Sequence, residues 1–246
     1  MWELVRKEAA RVGQQLGVGV GFIAGAERWL PPSDSVVTAK LVVQLMTLRT
    51  AADGAPLAPI VGFGLQGPEE GFPPEQFEEA FTIARAAGLL SVPHAGEHCG
   101  PESVLGALDS LGARRLAHGV RAVEDSALVA RLAAERVCCD TCPTSNVMLR
   151  VVPSITAHPL PSLVAAGVPC TVSADDPLLF HLSTEPLLEE YTLARNTWSL
   201  SMVDLCEIAR NSVLQSDFAP ATKRNWLGGT GGISAAALEA AAANEI

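Results

Sequence analysis

Positive charge is scarce in this sequence. Its 246 residues include 17 lysines and arginines against 27 aspartates and glutamates, which gives a formal net charge of −10 and a pI near 4.9. A protein that binds a nucleic acid backbone needs a basic face to neutralise the phosphates. We therefore expect no nucleic acid partner, and the acidic excess is most simply explained as a solubilising surface.

Long apolar runs are also missing. No stretch of about 18 uninterrupted apolar residues is present, so no membrane span and no membrane partner are predicted. Met1 is followed by Trp2, Glu3 and an amphipathic segment, so no secretory signal is predicted. Six cysteines in a chain of this size do not make a disulfide scaffold and favour a reducing compartment. We expect a cytoplasmic protein.

The sequence consists instead of short apolar runs that alternate with amphipathic segments. The predicted strands are residues 18–24, 58–64, 89–93, 114–117, 137–140 and 169–174. Alternation of strands with helices is typical of a parallel α/β architecture. After Asp176 only helices are predicted, over residues 184–197, 202–214 and 218–227. We predict one domain over residues 1–227 and a mobile Ala/Gly-rich tail over residues 228–246.

Two of the predicted helices carry more specific expectations. The first, residues 3–16, places one set of apolar side chains on a single helical face: Leu4, Val5, Ala9, Val12 and Leu16. The second, residues 35–50, is apolar on nearly every side and has Ser33 as a candidate N-cap. We expect an amphipathic first helix and a second helix that is buried between two layers.

Polar residues with catalytic potential follow the predicted strands. They are His94 with Glu97, His118, Asn146, and Asp175 with Asp176; Gly67 lies in the loop after the second strand. Because the carboxyl ends of parallel strands meet at one edge of the sheet, this distribution predicts one site. Histidine nitrogens and aspartate oxygens are zinc ligands, and bound zinc activates water for hydrolysis. The pattern favours metal-assisted hydrolysis, in which His118 accepts or orients a water proton and one aspartate of the pair binds the metal.

The remaining histidines and cysteines have simpler explanations. His98 is expected in a loop, His158 in a structural hydrogen bond at a helix entrance, and His181 at a pocket rim or subunit contact. Cys139 and Cys142 have the spacing of half a zinc cluster, but no second pair completes four ligands. The acidic run is expected to be a solvated loop and helix start; its members are Glu69, Glu70, Glu75, Glu78 and Glu79.

Five short motifs occur in an order that resembles one enzyme family. They are His94-Ala95-Gly96-Glu97, Ala117-His118-Gly119, Cys142-Pro143-Thr144-Ser145-Asn146, Ala157-His158-Pro159-Leu160 and Ser173-Ala174-Asp175-Asp176-Pro177. Together they resemble the adenosine and adenine deaminases of the metal-dependent amidohydrolase superfamily, over residues 3 to 227. The resemblance implies a TIM-type (β/α)8 barrel that hydrolyses a 6-aminopurine with zinc-activated water.

The resemblance also implies a role for individual residues. His94 and Asp175 match zinc ligands, and Glu97 matches the acid that protonates the purine ring nitrogen. His118 matches the histidine that orients and deprotonates the zinc-bound water. Gly67 matches a glycine whose backbone N–H meets the purine ring, and Asp176 matches a residue that contacts the imidazole edge of the substrate. The implied partner is a small purine, with Zn²⁺ as cofactor.

One family feature has no counterpart here. Family members begin with a strand that carries a His-x-His pair, and no two of the five histidines in this sequence are two positions apart. We therefore expect a barrel of about six strands, with exposed strand edges that favour self-association and with zinc bound weakly or not at all. Three functions stay open at this point: an adenosine or related nucleoside deaminase, an adenine deaminase, and an inactive remnant or purine-binding module.

Overall fold

A computed structural model describes residues 1–228 and contains six strands and eleven α-helices in that part of the chain. The strands are β1 (Phe22–Glu27), β2 (Ile60–Gln66), β3 (Leu90–Ala95), β4 (Arg115–His118), β5 (Cys138–Thr141) and β6 (Cys170–Val172). The helices are α1 (Trp2–Leu16), α2 (Pro32–Thr47), α3 (Glu78–Ala86), α4 (Pro101–Asp109), α5 (Ser126–Ala134), α6 (Pro143–Met148), α7 (Leu160–Ala165), α8 (Pro177–Phe180), α9 (Pro186–Trp198), α10 (Met202–Leu214) and α11 (Pro220–Trp226). The predicted α/β class with six strands and C-terminal helices is confirmed.

The chain forms two compact units. The first comprises residues 1–94 and 106–114, and the second comprises residues 95–105 and those from Arg115 onward. The prediction of one domain over residues 1–227 stays a prediction, and the predicted mobile tail falls almost entirely outside the described residues. Among the described helices, none is long and apolar enough to cross a membrane.

The first unit is built on the parallel strands β1, β2 and β3. Strand β2 lies between the other two, with Gly25 opposite Gly64 and Leu65 opposite Pro93. Inside this unit the rings of Phe63 and Phe81 pack edge to face with centroids 5.0 Å apart, and both are fully buried. Burial of such side chains drives the packing of helix α3 against β2.

Helix α1 departs from its predicted amphipathic orientation. Leu4 and Leu16, on the predicted apolar face, are exposed, whereas the Arg6 side chain is only 1% exposed. Its guanidinium donates hydrogen bonds to three backbone carbonyl oxygens, those of Ala58, Leu45 and Leu48, at 2.7–2.8 Å. A buried guanidinium needs hydrogen-bond acceptors, and these three carbonyl oxygens supply them, so the side of α1 that carries Arg6 faces inward.

Helix α2 also differs from prediction. It begins at Pro32 after Pro31, and the N-cap makes no side-chain hydrogen bond, so the expected Ser33 cap is wrong. Val37 and Leu41 are exposed, so the expectation of a helix buried between two layers is wrong as well. A proline at the first helical turn has its φ angle already set for a helix and needs no capping partner for its missing N–H.

The second unit is built on the parallel strands β4, β5 and β6. Arg115 pairs with Cys138, and Cys139 pairs with Cys170. All four residues of β5 are buried, and the Asp140 carboxylate accepts hydrogen bonds from Arg115 at 2.6 Å and from Thr171 at 2.7 Å. Continuous burial on both faces is typical of a parallel strand, and it requires the buried carboxylate to be paired in this way.

Candidate active site

His94 lies at the carboxyl end of β3, in the first unit. Its ring Nδ1 is 3.0 Å from the carbonyl oxygen of Leu65, and Arg28 donates to the His94 carbonyl oxygen at 2.6 Å. Because a carbonyl oxygen can only accept, Nδ1 carries the ring hydrogen and a neutral His94 presents Nε2 as an acceptor. This is the tautomer in which an imidazole binds a metal through Nε2.

Gly67 follows β2 in the same unit and adopts a backbone that favours glycine. Its φ is +98°, and a Cβ placed on it would lie 2.5 Å from the ring of Trp29. The Gly67 position is therefore required by local geometry, whatever part its N–H takes in binding.

The second unit brings Glu97, His118 and Asp175 together. His118 Nε2 is 3.5 Å from Glu97 Oε1 and 3.8 Å from Asp175 Oδ2. His118 is only 2% exposed, and Glu97 is also buried. Two carboxylates that converge on one side of a buried imidazole can accept, donate or orient a proton at Nε2, which is the arrangement that acid–base chemistry needs.

The backbone at this cluster is in an uncommon conformation. His118 has φ +71° and Asp175 has φ +54°, although neither is glycine. Residues other than glycine are rarely held at positive φ, and such strain concentrates at functional sites. The chain thus bends sharply at the end of β4 and after β6, and both bends place a side chain in the cluster.

Asn146 extends the cluster away from the carboxylates. Its side-chain nitrogen is 3.3 Å from His118 Nδ1, and its Oδ1 is 3.1 Å from His158 Nε2. His158 Nδ1 in turn accepts the backbone N–H of Leu160 at 3.1 Å. The predicted structural hydrogen bond of His158 is confirmed. The sequence predicts Asn146 as a polar residue that follows a strand, but it does not predict the contact with His118.

Cys142 is a further member of the cluster that the sequence did not assign. One ligand atom from each of His118, Cys142 and Asp175 lies within 4.8 Å of the others. Burial, and secondarily the Asp175 carboxylate, raises the pKa of the Cys142 thiol well above its ordinary value. Cys142 is therefore a neutral thiol unless a cation displaces its proton.

The donor chemistry of this cluster fits a zinc ion. Zinc binds imidazole nitrogen, thiolate sulfur and carboxylate oxygen in tetrahedral sites. Two such ligands on one ion lie roughly 3.4 Å apart, and the His118–Asp175 separation of 3.8 Å is close to that value. The same separation suits a histidine that lies beside an aspartate ligand of the ion.

The chain is similar to known proteins over most of its length. A family model described as adenosine deaminase matches residues 3–229. The chain belongs to the adenosine deaminase family. It is 40% identical over 227 residues to a putative adenosine/adenine deaminase of Streptomyces coelicolor, covering 92% of this chain and 62% of that protein. It is 44% identical over 169 residues to an aminodeoxyfutalosine deaminase of Streptomyces avermitilis, covering 68% of this chain and 46% of that protein.

A solved structure supports the same membership. The crystal structure of adenine deaminase from Arthrobacter aurescens has 32% sequence identity and a TM-score of 0.79, and the match covers 89% of this chain and 62% of that chain. The match covers 62% of both the Streptomyces coelicolor protein and the Arthrobacter protein, so the chain spans about three fifths of the length of these relatives. The fold expected from the family resemblance is confirmed by this comparison.

The other residues singled out in the sequence of this family member differ in their exposure to solvent. Asp176 is exposed at the start of α8. His98 is exposed, as expected of a loop residue, with Nδ1 3.4 Å from Glu97 Oε2. His181 is buried, with Nδ1 2.8 Å from Glu189 Oε2. Glu69 is only 3% exposed, whereas Glu70 is exposed, so the expectation of a solvated acidic run is wrong at Glu69.

Proposed function

We propose that this chain carries the catalytic residues of a hydrolase that removes the 6-amino group of a purine. The observation that carries the proposal is the convergence of Glu97 and Asp175 on Nε2 of the buried His118. The reaction converts a 6-aminopurine and water into a 6-oxopurine and ammonia. A C–O bond forms at C6 and the C–N bond breaks, while protons move between water, the ring nitrogen and the leaving amine.

Each predicted site residue has a role in this proposal. Glu97 donates a proton to the purine ring nitrogen, and His118 orients or accepts the proton of the attacking water. Asp175 and His94 are proposed as ligands of Zn²⁺, and the tautomer of His94 supports its part. When bound, the ion would supply a water whose pKa is lowered toward about 7. The N–H of Gly67 and the exposed carboxylate of Asp176 are proposed to contact the purine.

The proposed substrate is adenosine or a related 6-aminopurine nucleoside. The relatives named adenosine/adenine deaminase and aminodeoxyfutalosine deaminase support the 6-aminopurine class. Adenine is the second candidate, because a 46% identical relative from Streptomyces coelicolor and the Arthrobacter structure are both named adenine deaminase.

We also propose a cytoplasmic location, from the cysteine content, and self-association, which size-exclusion chromatography would test.

The test is ammonia release by the purified full chain supplied with Zn²⁺. Adenosine and adenine are offered separately, and the conversion of the 6-amino to the 6-oxo ring is followed by ultraviolet absorbance. The Glu97→Gln variant is expected to lower turnover about 100-fold or more, because the proton donor is lost while the side-chain shape is kept. The matched control is Glu135→Gln, which changes an exposed glutamate paired with Arg131.

The outcomes separate the candidate functions. Turnover that depends on Glu97 supports the proposed deaminase, and the preferred substrate decides between nucleoside and free base. A folded, zinc-loaded chain that turns over neither purine contradicts the proposal. Purine binding without turnover, measured by calorimetry, favours the purine-binding module instead.

A further inference from the structure

Four groups of the second unit form an uninterrupted chain of hydrogen bonds behind the candidate active site. The backbone N–H of Leu160 reaches His158 Nδ1 at 3.1 Å, and His158 Nε2 reaches Asn146 Oδ1 at 3.1 Å. The Asn146 amide nitrogen then reaches His118 Nδ1 at 3.3 Å. Asn146 is fully buried and both histidines are nearly so, so the proton positions along the chain are set by these contacts rather than by water.

The direction of every bond in this chain follows from its first member. A backbone N–H can only donate, so His158 Nδ1 has no hydrogen and a neutral His158 carries its hydrogen on Nε2. That N–H requires an acceptor, and the only acceptor on the Asn146 side chain is Oδ1. The amide orientation of Asn146 is thereby decided, and its NH₂ group faces His118 Nδ1.

We propose that His158 is a positioning residue that acts through Asn146 to hold His118 in the tautomer with hydrogen on Nε2. The amide of Asn146 donates to His118 Nδ1, so Nδ1 is an acceptor and Nε2 carries the hydrogen. His118 then points an N–H at the carboxylates of Glu97 and Asp175, which lie 3.5 and 3.8 Å away.

Hydrogen on Nε2 excludes one possible role of His118, that of a metal ligand. An Nε2 that carries hydrogen cannot bind a metal ion, so His118 is a neighbour of the ion rather than a ligand. The same N–H donates a hydrogen bond to an oxygen in the site. The family resemblance implies that this histidine orients and deprotonates the attacking water, and with hydrogen on Nε2 His118 can orient the water but cannot accept its proton there. As a statement about catalysis the inference rests on the proposed function; as a statement about proton positions it does not.

The surroundings of His158 maintain the state on which the chain depends. Burial lowers the pKa of His158 from 6.5 to about 4, so the ring is neutral near pH 7. The Trp198 ring lies beside it with centroids 5.7 Å apart, and the Trp198 indole N–H donates to the carbonyl oxygen of Ile155 at 3.1 Å. Trp198 is thus held in place and covers the imidazole on one side.

The deciding experiment is nuclear magnetic resonance of the full chain labelled with ¹⁵N-histidine. Long-range ¹H–¹⁵N correlations distinguish ring nitrogens that carry hydrogen from those that do not. We expect His118 and His158 to show hydrogen on Nε2 only, and His118 to keep this pattern after Zn²⁺ is added. Hydrogen on Nδ1 of His118, or a zinc-induced shift of its Nε2 typical of a metal ligand, overturns the inference.

Three variants test the direction of control. Asn146→Asp replaces the amide donor by an acceptor of the same shape, so His118 Nδ1 is expected to gain a hydrogen. His158→Gln keeps a donor toward Asn146 and is expected to keep the wild-type tautomer, whereas His158→Phe removes the donor and should give mixed tautomers. The matched control is Ser145→Ala: Ser145 is buried next to Asn146, and its Oγ has no hydrogen-bond partner among the described residues.

Kinetics separate this inference from the proposed function. On the zinc-loaded chain, Asn146→Asp and His158→Phe are expected to lower kcat about 10- to 100-fold with KM little changed, and His158→Gln to recover most of the loss. Circular dichroism confirms that each variant is folded. Expected tautomers in a chain without turnover contradict the proposed function alone, whereas turnover with an unchanged His118 tautomer in Asn146→Asp contradicts the inference alone.

Discussion

Replacement of Gly67 by alanine tests whether this predicted substrate contact is first of all a steric requirement of the fold. Gly67 has φ +98°, and a Cβ there would lie 2.5 and 2.6 Å from two carbon atoms of the Trp29 ring. Alanine therefore meets two separate penalties, one from its own backbone and one from the indole.

The two penalties can be estimated from this geometry. A positive φ costs an L-residue about 1–2 kcal/mol, and alanine recovers about 0.4–1 kcal/mol of this by restricting the unfolded chain. The overlap with Trp29 adds about 1 kcal/mol, at the low end for overpacking, since that side chain is 55% exposed and can swing outward. The expected net cost of Gly67→Ala is about 2 kcal/mol.

The assay is urea unfolding of four forms of the full chain: wild type, Gly67→Ala, Trp29→Ala and the double variant. In the Trp29→Ala background the penalty should fall by about 1 kcal/mol, because only the backbone part is left. A Gly67→Ala chain within about 0.5 kcal/mol of wild type would refute the whole argument. An unchanged penalty in the double variant would refute the part assigned to Trp29.

Three further predictions concern stability. Arg6→Met should lower the free energy of unfolding in urea by about 3 kcal/mol, since three backbone acceptors lose a charged donor. The control Arg11→Met, at an exposed site, should change it by no more than about 0.5 kcal/mol. Equal effects of the two substitutions would contradict the account of helix α1. Asp125→Ala should cost about 1 kcal/mol, because Asp125 accepts two backbone N–H groups at the start of α5, and no loss would show that the cap contributes nothing. His158 has a folded pKa of about 4, below its ordinary 6.5, so the unfolded chain binds the proton first as pH falls. The contribution of neutral His158 to the free energy of unfolding is complete above about pH 6.5 and is lost toward pH 4, which amounts to about 2 kcal/mol between pH 7 and pH 5. In urea unfolding, the His158→Gln variant should lose less stability than wild type over that pH range. An equal loss in the two proteins would contradict the assignment of this pH dependence to His158.

The alternation of apolar runs and helical segments in the sequence was sufficient to predict the order of the elements. All six strands were predicted within a few residues of their observed bounds, and residues 202–214 coincide with α10. Local patterns failed where a distant group decides the outcome. The inward side of α1 is set by Arg6, whose three acceptors lie 39 to 52 residues away, and no local periodicity reports such partners.

The candidate site shows the same division. That Glu97, His118 and Asp175 belong to one site followed from their positions after strands, since parallel strands end at a common edge. The sequence assigned no role to Cys142 and none to Asn146. Cysteine and asparagine have structural roles in most proteins, so their presence in the sequence does not indicate a site. Their short distances to His118 identify these two residues as members of the cluster.

By itself the sequence determined the fold class, the family and the residue types available for catalysis, because these depend on hydrophobic periodicity and on short motifs that are local in the chain. The tertiary structure alone decided which residues touch. It placed Asn146 between two histidines and bent the backbone to positive φ at His118 and Asp175. The state of an ionisable side chain depends on neighbours within a few ångströms, and folding brings those neighbours from anywhere in the chain.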